Sequence, residues 1–179
     1  MEKKIKLPEA VTARVDGRNL VITGSRGELK RDFFKMPTVH FSVSGDELTI
    51  SDSKEGKRGK TMLNTTVAHA NNMIKGVTQG FQYVLDIFHV HFPIRVSVKG
   101  DDITINNFLG GKADVSVKKY PDVKVEVKGK QIFVEGSNLE TVSQTAARIE
   151  QSIKKKLRNK DRRVFRDGLY IVKRGVMNE

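Results

Sequence analysis

The chain has no cysteine among its 179 residues. Disulfides, thiolate zinc sites and cysteine nucleophiles are therefore excluded. No stretch approaches the roughly 18 apolar residues that a membrane helix needs. The opening "MEKKIKLPEAVTARVDG" lacks the apolar core of a secretory signal. The expectation is a cytosolic protein with no membrane contact. Catalytic signatures are also missing: there is no G-x-S-x-G elbow and no HExxH helix. Asp46, Glu47, Asp101 and Asp102 fall in turn-like segments, where polarity alone explains them. No enzyme, cofactor or metal site is expected.

Two segments imitate chemistry without completing it. "KEGKRGKT" at Lys54–Thr61 ends like a phosphate-binding loop, but the position that should hold its first glycine is Lys54. Its bland reading is an exposed basic loop leading into a helix, with Lys57, Arg58 and Lys60 free to touch phosphate. "HVHFP" sets His89 and His91 on one face of an extended segment. Two imidazoles without further ligands make no convincing metal site. His40 and His69 add no supporting spacing.

What the chain does have is positive charge. The formal net charge is +12, and a balance so basic points to a polyanionic partner. Residues 1–82 net +5, residues 83–150 net zero and residues 151–179 net +7. More than half of the excess thus lies at the C-terminal end, as a localised binding face requires. With 37% apolar residues there is still enough to build a core.

An internal repeat organises the rest. "VDGRNLVI" at Val15–Ile22 returns as "VSGDELTI" at Val43–Ile50, "VKGDDITI" at Val98–Ile105 and "VKGKQIFV" at Val127–Val134. Each reads as a strand, a tight turn at the glycine and a returning strand with alternating apolar residues. A helical stripe follows each pair of hairpins. The first is Leu63, Val67, Ala70, Ile74 and Val77, with Gly76 as the expected stop. The second is Leu139, Val142, Ala146, Ile149 and Ile153, opened by a capping box of Ser137 and Glu140. The expected fold class is α+β, in two similar tandem domains (1–82 and 83–179), each an antiparallel sheet with one main helix packed on it. Stripes this short give each domain a small core and modest stability.

The second helix should run from about Asn138 to Leu157, which puts Lys154, Lys155 and Lys156 in its last turn. Cations there complement the helix dipole. One or two would suffice for that, yet the series continues through Arg158, Lys160, Arg162, Arg163 and Arg166. "VFRDGLYI" then restores an apolar pattern at Phe165, Leu169 and Ile171, with Asp167-Gly168 as a turn signal. This predicts a basic loop pinned by a turn and a strand. Nucleic acid is the favoured partner on charge, with an acidic protein or a membrane surface as alternatives. No helix-turn-helix, zinc finger or basic zipper is present, and the aromatic string of RNA-recognition modules is missing. Backbone and shape recognition of folded RNA remains.

"NNMIKGVTQGF" (Asn71–Phe81), "HFPIRV" (His91–Val96), "NFLGGK" (Asn107–Lys112) and "RVFRDGLYI" (Arg163–Ile171), in this order, resemble ribosomal large-subunit protein six in bacterial numbering, called nine in eukaryotes. The resemblance spans essentially the whole chain. "NNMIKGV" with "HFP" is of the archaeal or eukaryotic kind, and the compact length points to the archaeal branch. The resemblance implies two duplicated α+β domains and a structural role bound to large-subunit rRNA, chiefly through the C-terminal domain. Its implied place is beside the factor-binding stalk base and the sarcin–ricin loop, next to neighbouring ribosomal proteins and where translation GTPases dock. The implied RNA contacts are the run Lys154–Arg166, then Lys173 and Arg174. Gly110, Gly111 and Lys112 form a second candidate, which a strand-linking turn also explains. The alternative function is a basic adaptor that binds an acidic protein surface.

Overall fold

All four repeated glycines sit at hairpin tips with positive φ: Gly17 at 62°, Gly45 at 57°, Gly100 at 60° and Gly129 at 59°. Only a residue without Cβ adopts that backbone at no cost, so the repeat marks turns. The computed structural model describes residues 1–34, 36–157, 164 and 166–177. The chain divides into two compact units, Met1–Gly80 and Phe81–Glu179.

The first unit runs β1 (Glu2–Lys6), β2 (Thr12–Asp16), β3 (Asn19–Gly24), β4 (Gly27–Asp32), β5 (Val39–Ser44), β6 (Glu47–Asp52) and α1 (Lys57–Thr78). The second runs β7 (Phe81–Phe88), β8 (Arg95–Lys99), β9 (Asp102–Asn106), a short 3-10 turn (Phe108–Gly110), β10 (Val115–Lys118), β11 (Lys124–Lys128), β12 (Gln131–Gly136), α2 (Leu139–Lys156) and β13 (Gly168–Val176). All strand pairing is antiparallel. The class is α+β in two similar units. Where one sheet per unit was expected, the described strands form two. These are β2-β3-β4 and β1-β6-β5 in the first unit, and β10-β9-β8 and β11-β12-β7-β13 in the second.

The two hairpins of a unit belong to different sheets because each carries one apolar face, and both faces are buried in one core with the helix. In the first unit Leu20 and Ile22 of β3, Leu48 and Ile50 of β6, and Leu63, Ala70, Ile74 and Val77 of α1 share a single cluster. In the second, Ile103 and Ile105 of β9, Ile132 and Val134 of β12, and Val142, Ala146, Ile149 and Ile153 of α2 do the same. Fully burying an aliphatic side chain of this kind contributes about 1.5–3 kcal/mol. The stripes read from the sequence are thus the buried faces, with Val67 and Leu139 only partly covered.

Element ends differ from expectation in four places. Gly76 lies buried inside α1. The helix stops at Gly80, whose φ of 74° is the left-handed turn that ends helices. Phe81 and Gln82, placed in the first domain by sequence, already belong to β7 and pair with β12 and β13. The cap of α2 is Asn138 rather than Ser137: its side-chain oxygen accepts the Glu140 N–H at 3.0 Å. Asp167-Gly168 makes no hairpin. Asp167 is fully buried, and Gly168 opens β13 opposite Phe88.

Candidate nucleic-acid interface

The basic run is anchored at both ends. Leu157, the residue after α2, is 4% exposed in the core. The chain is fixed again at Asp167, whose Oδ1 accepts the Val90 N–H at 2.9 Å. From Gly168 onward β13 pairs with β7 along the whole of both strands, with one irregularity between Ile171 and Lys173. The strand expected after the charge run is present, and it is the fourth strand of a sheet rather than a small appendage.

The predicted residues fall into groups. Lys155 and Lys156 are exposed on the last turn of α2, while Lys154 is half-buried and pairs with Glu150 at 2.9 Å. Glu150 also accepts the Ile171 N–H at 3.3 Å, so the later turns of α2 lie against the middle of β13. Burial pushes the Glu150 carboxyl up. The Lys154 ammonium, the Ile171 N–H and the Arg174 charge outweigh that and hold it below its ordinary range. Arg166 is exposed, and its carbonyl accepts the Tyr170 hydroxyl at 3.0 Å. Arg158, Lys160, Arg162 and Arg163 lie outside the described residues, as does Phe165.

Gly110, Gly111 and Lys112 are exposed in the β9–β10 connection. This is a tight left-handed turn, with Asn107 at φ 57°, Leu109 at 52° and Gly110 at 71°. The Asn107 side chain donates to the Pro93 carbonyl at 3.1 Å, and a Cβ on Gly110 would stand 3.2 Å from the Phe92 ring. The connection is thereby fastened to the loop after β7. That loop is fastened in turn to Asp167 through Val90. The loop after β7 is thus tied both to the β9–β10 connection, through Pro93 and Phe92, and to Asp167, through Val90. Lys173 and Arg174 stand apart, farther along β13. Arg174 lines an open groove of about 500 Å³ with Tyr83, Ser143 and Ile171.

Sequence reasoning missed a group of exposed apolar side chains. Phe88, Val90 and Phe92 are 45%, 60% and 46% exposed, and Val164 is 61% exposed. Exposed apolar side chains gathered on one short segment mark a candidate contact surface. Its signal was in the sequence as the alternation Phe88-His89-Val90-His91-Phe92, read there for its histidines. The strand ends at Phe88, so His89 and His91 do not share a strand face. Among the described residues no group of three or more His, Cys, Asp or Glu could hold a metal ion. The Lys54–Thr61 segment is no phosphate cradle either. Gly59 is buried in the first turns of α1, and any Cβ there would collide with the Lys54 carbonyl oxygen.

The tandem architecture has relatives. The family model described as Ribosomal protein L6 matches residues 7–80 and 92–168, one match in each unit. The chain is 40% identical over 175 residues to the large ribosomal subunit protein uL6 of Aeropyrum pernix, covering 98% of this chain and 95% of that protein. It is 40% identical over 178 residues to the uL6 of Ignicoccus hospitalis, covering 97% and 95%. It is 36% identical over 171 residues to the uL6 of Haloarcula marismortui, covering 96% and 94%. Two matched segments, two hairpin–hairpin–helix units and near-complete archaeal alignments agree, and the chain belongs to the Ribosomal protein L6 family.

Proposed function

We propose that this chain is a non-catalytic, structural constituent of the large ribosomal subunit in the cytoplasm. It binds large-subunit rRNA through the basic end of its second unit. The observation that carries this reading is that Leu157 and Asp167, on either side of the basic residues 158–166, are both buried, and that Asp167 is bonded to Val90 between the exposed Phe88 and Phe92. A cationic segment held at both ends loses less freedom on binding than a free tail. The phosphate-facing set is Lys155, Lys156, Arg158, Lys160, Arg162, Arg163 and Arg166, with Lys154 partly committed to Glu150. Gly110, Gly111 and Lys112 extend this face across the neighbouring turn. Lys173 and Arg174 form a separate contact at the far end of β13.

The finer placement is beside the stalk base and the sarcin–ricin loop. Neighbouring large-subunit proteins and docked translation GTPases would be close by. The segment resemblance supports this placement. Replacing Arg158, Arg162 and Arg163 together with alanine should lower rRNA affinity while thermal unfolding stays nearly unchanged. A collapse of unfolding temperature instead would make those residues structural. Sedimentation of the chain with large subunits after a moderate salt wash separates this reading from an adaptor for an acidic protein, which would not co-sediment.

A further inference from the structure

The two units are built alike except at one sheet edge. In the second unit β7 has β12 on one side and β13 on the other. In the first unit the corresponding strand, β1, pairs with β6, and no described strand lies on its other side. The correspondence is residue by residue. Leu7 donates its N–H to the Asp46 carbonyl and Ile87 donates to the Lys130 carbonyl, both at 2.7 Å across the same hairpin. Ile5 therefore matches Leu85, and Glu2, Lys4 and Lys6 match Gln82, Val84 and Asp86. In the second unit those three face Gly175, Lys173 and Tyr170 of β13.

Which groups of β1 point outward follows from the ladder. Met1 and Asp52 exchange both backbone bonds, at 2.9 and 3.1 Å. The alternation of an antiparallel pair then turns the N–H and C=O of Lys3 and Ile5 toward β6, and those of Glu2, Lys4 and Lys6 toward the open edge. The helices correspond as well. Thr66 and Thr145 are both fully buried, each hydroxyl bonded to the carbonyl four residues back. That match sets Asn71 where α2 has Glu150, the residue that accepts the outer N–H of β13. Ala68 likewise stands for Ala147, which lines the groove beside β13. Asn64, Ala68, Asn71 and Lys75 are all exposed along α1.

We propose that the β1 edge, roofed by the Asn64–Ala68–Asn71 stripe of α1, accepts an extended acidic segment of another protein, running antiparallel to β1 as β13 runs to β7. Outward donors and acceptors recur about every 6.8 Å along such an edge. That spacing suits a peptide backbone. Lys3, Lys4 and Lys6 are exposed on the strand, and Lys4 is only 3.5 Å from Glu47 at the surface. Lysines on an edge repel a second copy of themselves, and the same charges attract a strand carrying glutamate or aspartate. The proposal concerns the first unit and does not rest on the RNA reading of the second.

The test is residue-resolved amide exchange on the full chain, with and without a short peptide of alternating glutamate and valine. The expected result is exchange slowed roughly tenfold or more at Glu2, Lys4 and Lys6, with no such effect from a lysine–valine peptide. Lys4→Pro removes one outward N–H without touching the ladder to β6 and should weaken peptide binding about 2- to 10-fold, whereas Lys4→Gln, which keeps the N–H, should weaken it less. Unchanged exchange at the three amides overturns the proposal. So does equal protection by the lysine–valine peptide or by oligouridylate, or protection that grows with protein concentration alone. Should Lys4→Pro fail to fold, the exchange pattern of the unsubstituted chain still decides.

Discussion

Asp167 shows how one side chain can organise an interface it does not enter. Its Oδ1 holds the Val90 N–H, while its Oδ2 is buried with no hydrogen-bond partner among the described residues. Removing the carboxylate leaves the Val90 donor without its partner, and losing one side of a buried hydrogen bond costs about 1–3 kcal/mol. Asp167→Ala should therefore lower the unfolding free energy measured by urea titration by that amount, and Asp167→Asn, which keeps an acceptor, by less. Gly59 is a second position where one atom matters. Gly59→Ala forces the added methyl into the Lys54 carbonyl, an overpacking cost of about 1–3 kcal/mol readable by thermal unfolding. The glycine that completes a nucleotide-loop pattern in the sequence is thus required by packing.

At the scale of elements, Glu150 links α2 to β13. Its folded carboxyl is held below the ordinary range by Lys154, the Ile171 N–H and Arg174, against the opposing effect of burial. A depressed carboxyl stabilises the fold above its unfolded pKa, and this contribution is lost as pH falls through the lower folded value. Glu150→Gln should flatten that part of the acid limb and speed exchange of the Ile171 amide. If the acid limb and the amide are both unchanged, Glu150 contributes nothing to docking β13. The elements also show what was legible in the sequence. Hairpins and helices could be read because their apolar periods are local: Leu20 and Ile22 alternate, while Ile149 and Ile153 recur at one helical turn. The sheet each hairpin joins could not, because partner choice depends on residues far apart, as in the pairing of β7 with β13.

For the whole molecule the charge distribution carries the prediction. Each phosphate contact releases condensed counterions, so rRNA affinity should fall with salt at a log–log slope of about −0.7 to −0.9 per contact. A salt titration of the full chain measures this slope. Alanine at Lys155 and Lys156 should make it shallower by about one to two. A slope near zero would remove phosphate neutralisation as the basis of binding. The exposed Phe88, Val90 and Phe92 add an apolar component that salt does not screen. Phe92→Ala should then weaken affinity while leaving the slope unchanged.

The sequence by itself determined the duplication, the α+β class, the hairpin glycines and the concentration of positive charge toward the C-terminus. These follow from local periods, turn chemistry and composition, all of which act over a few residues. Tertiary structure decided what surrounds that charge. It buried Asp167 where a turn was expected and fastened the Gly110 turn to Phe92. It also set Lys173 and Arg174 in the second half of β13, and covered one edge of β7 with β13 while no described strand covers the matching edge of β1. Such outcomes depend on which distant backbone groups find partners, and an unpaired edge or an anchored loop leaves no periodic trace along the chain.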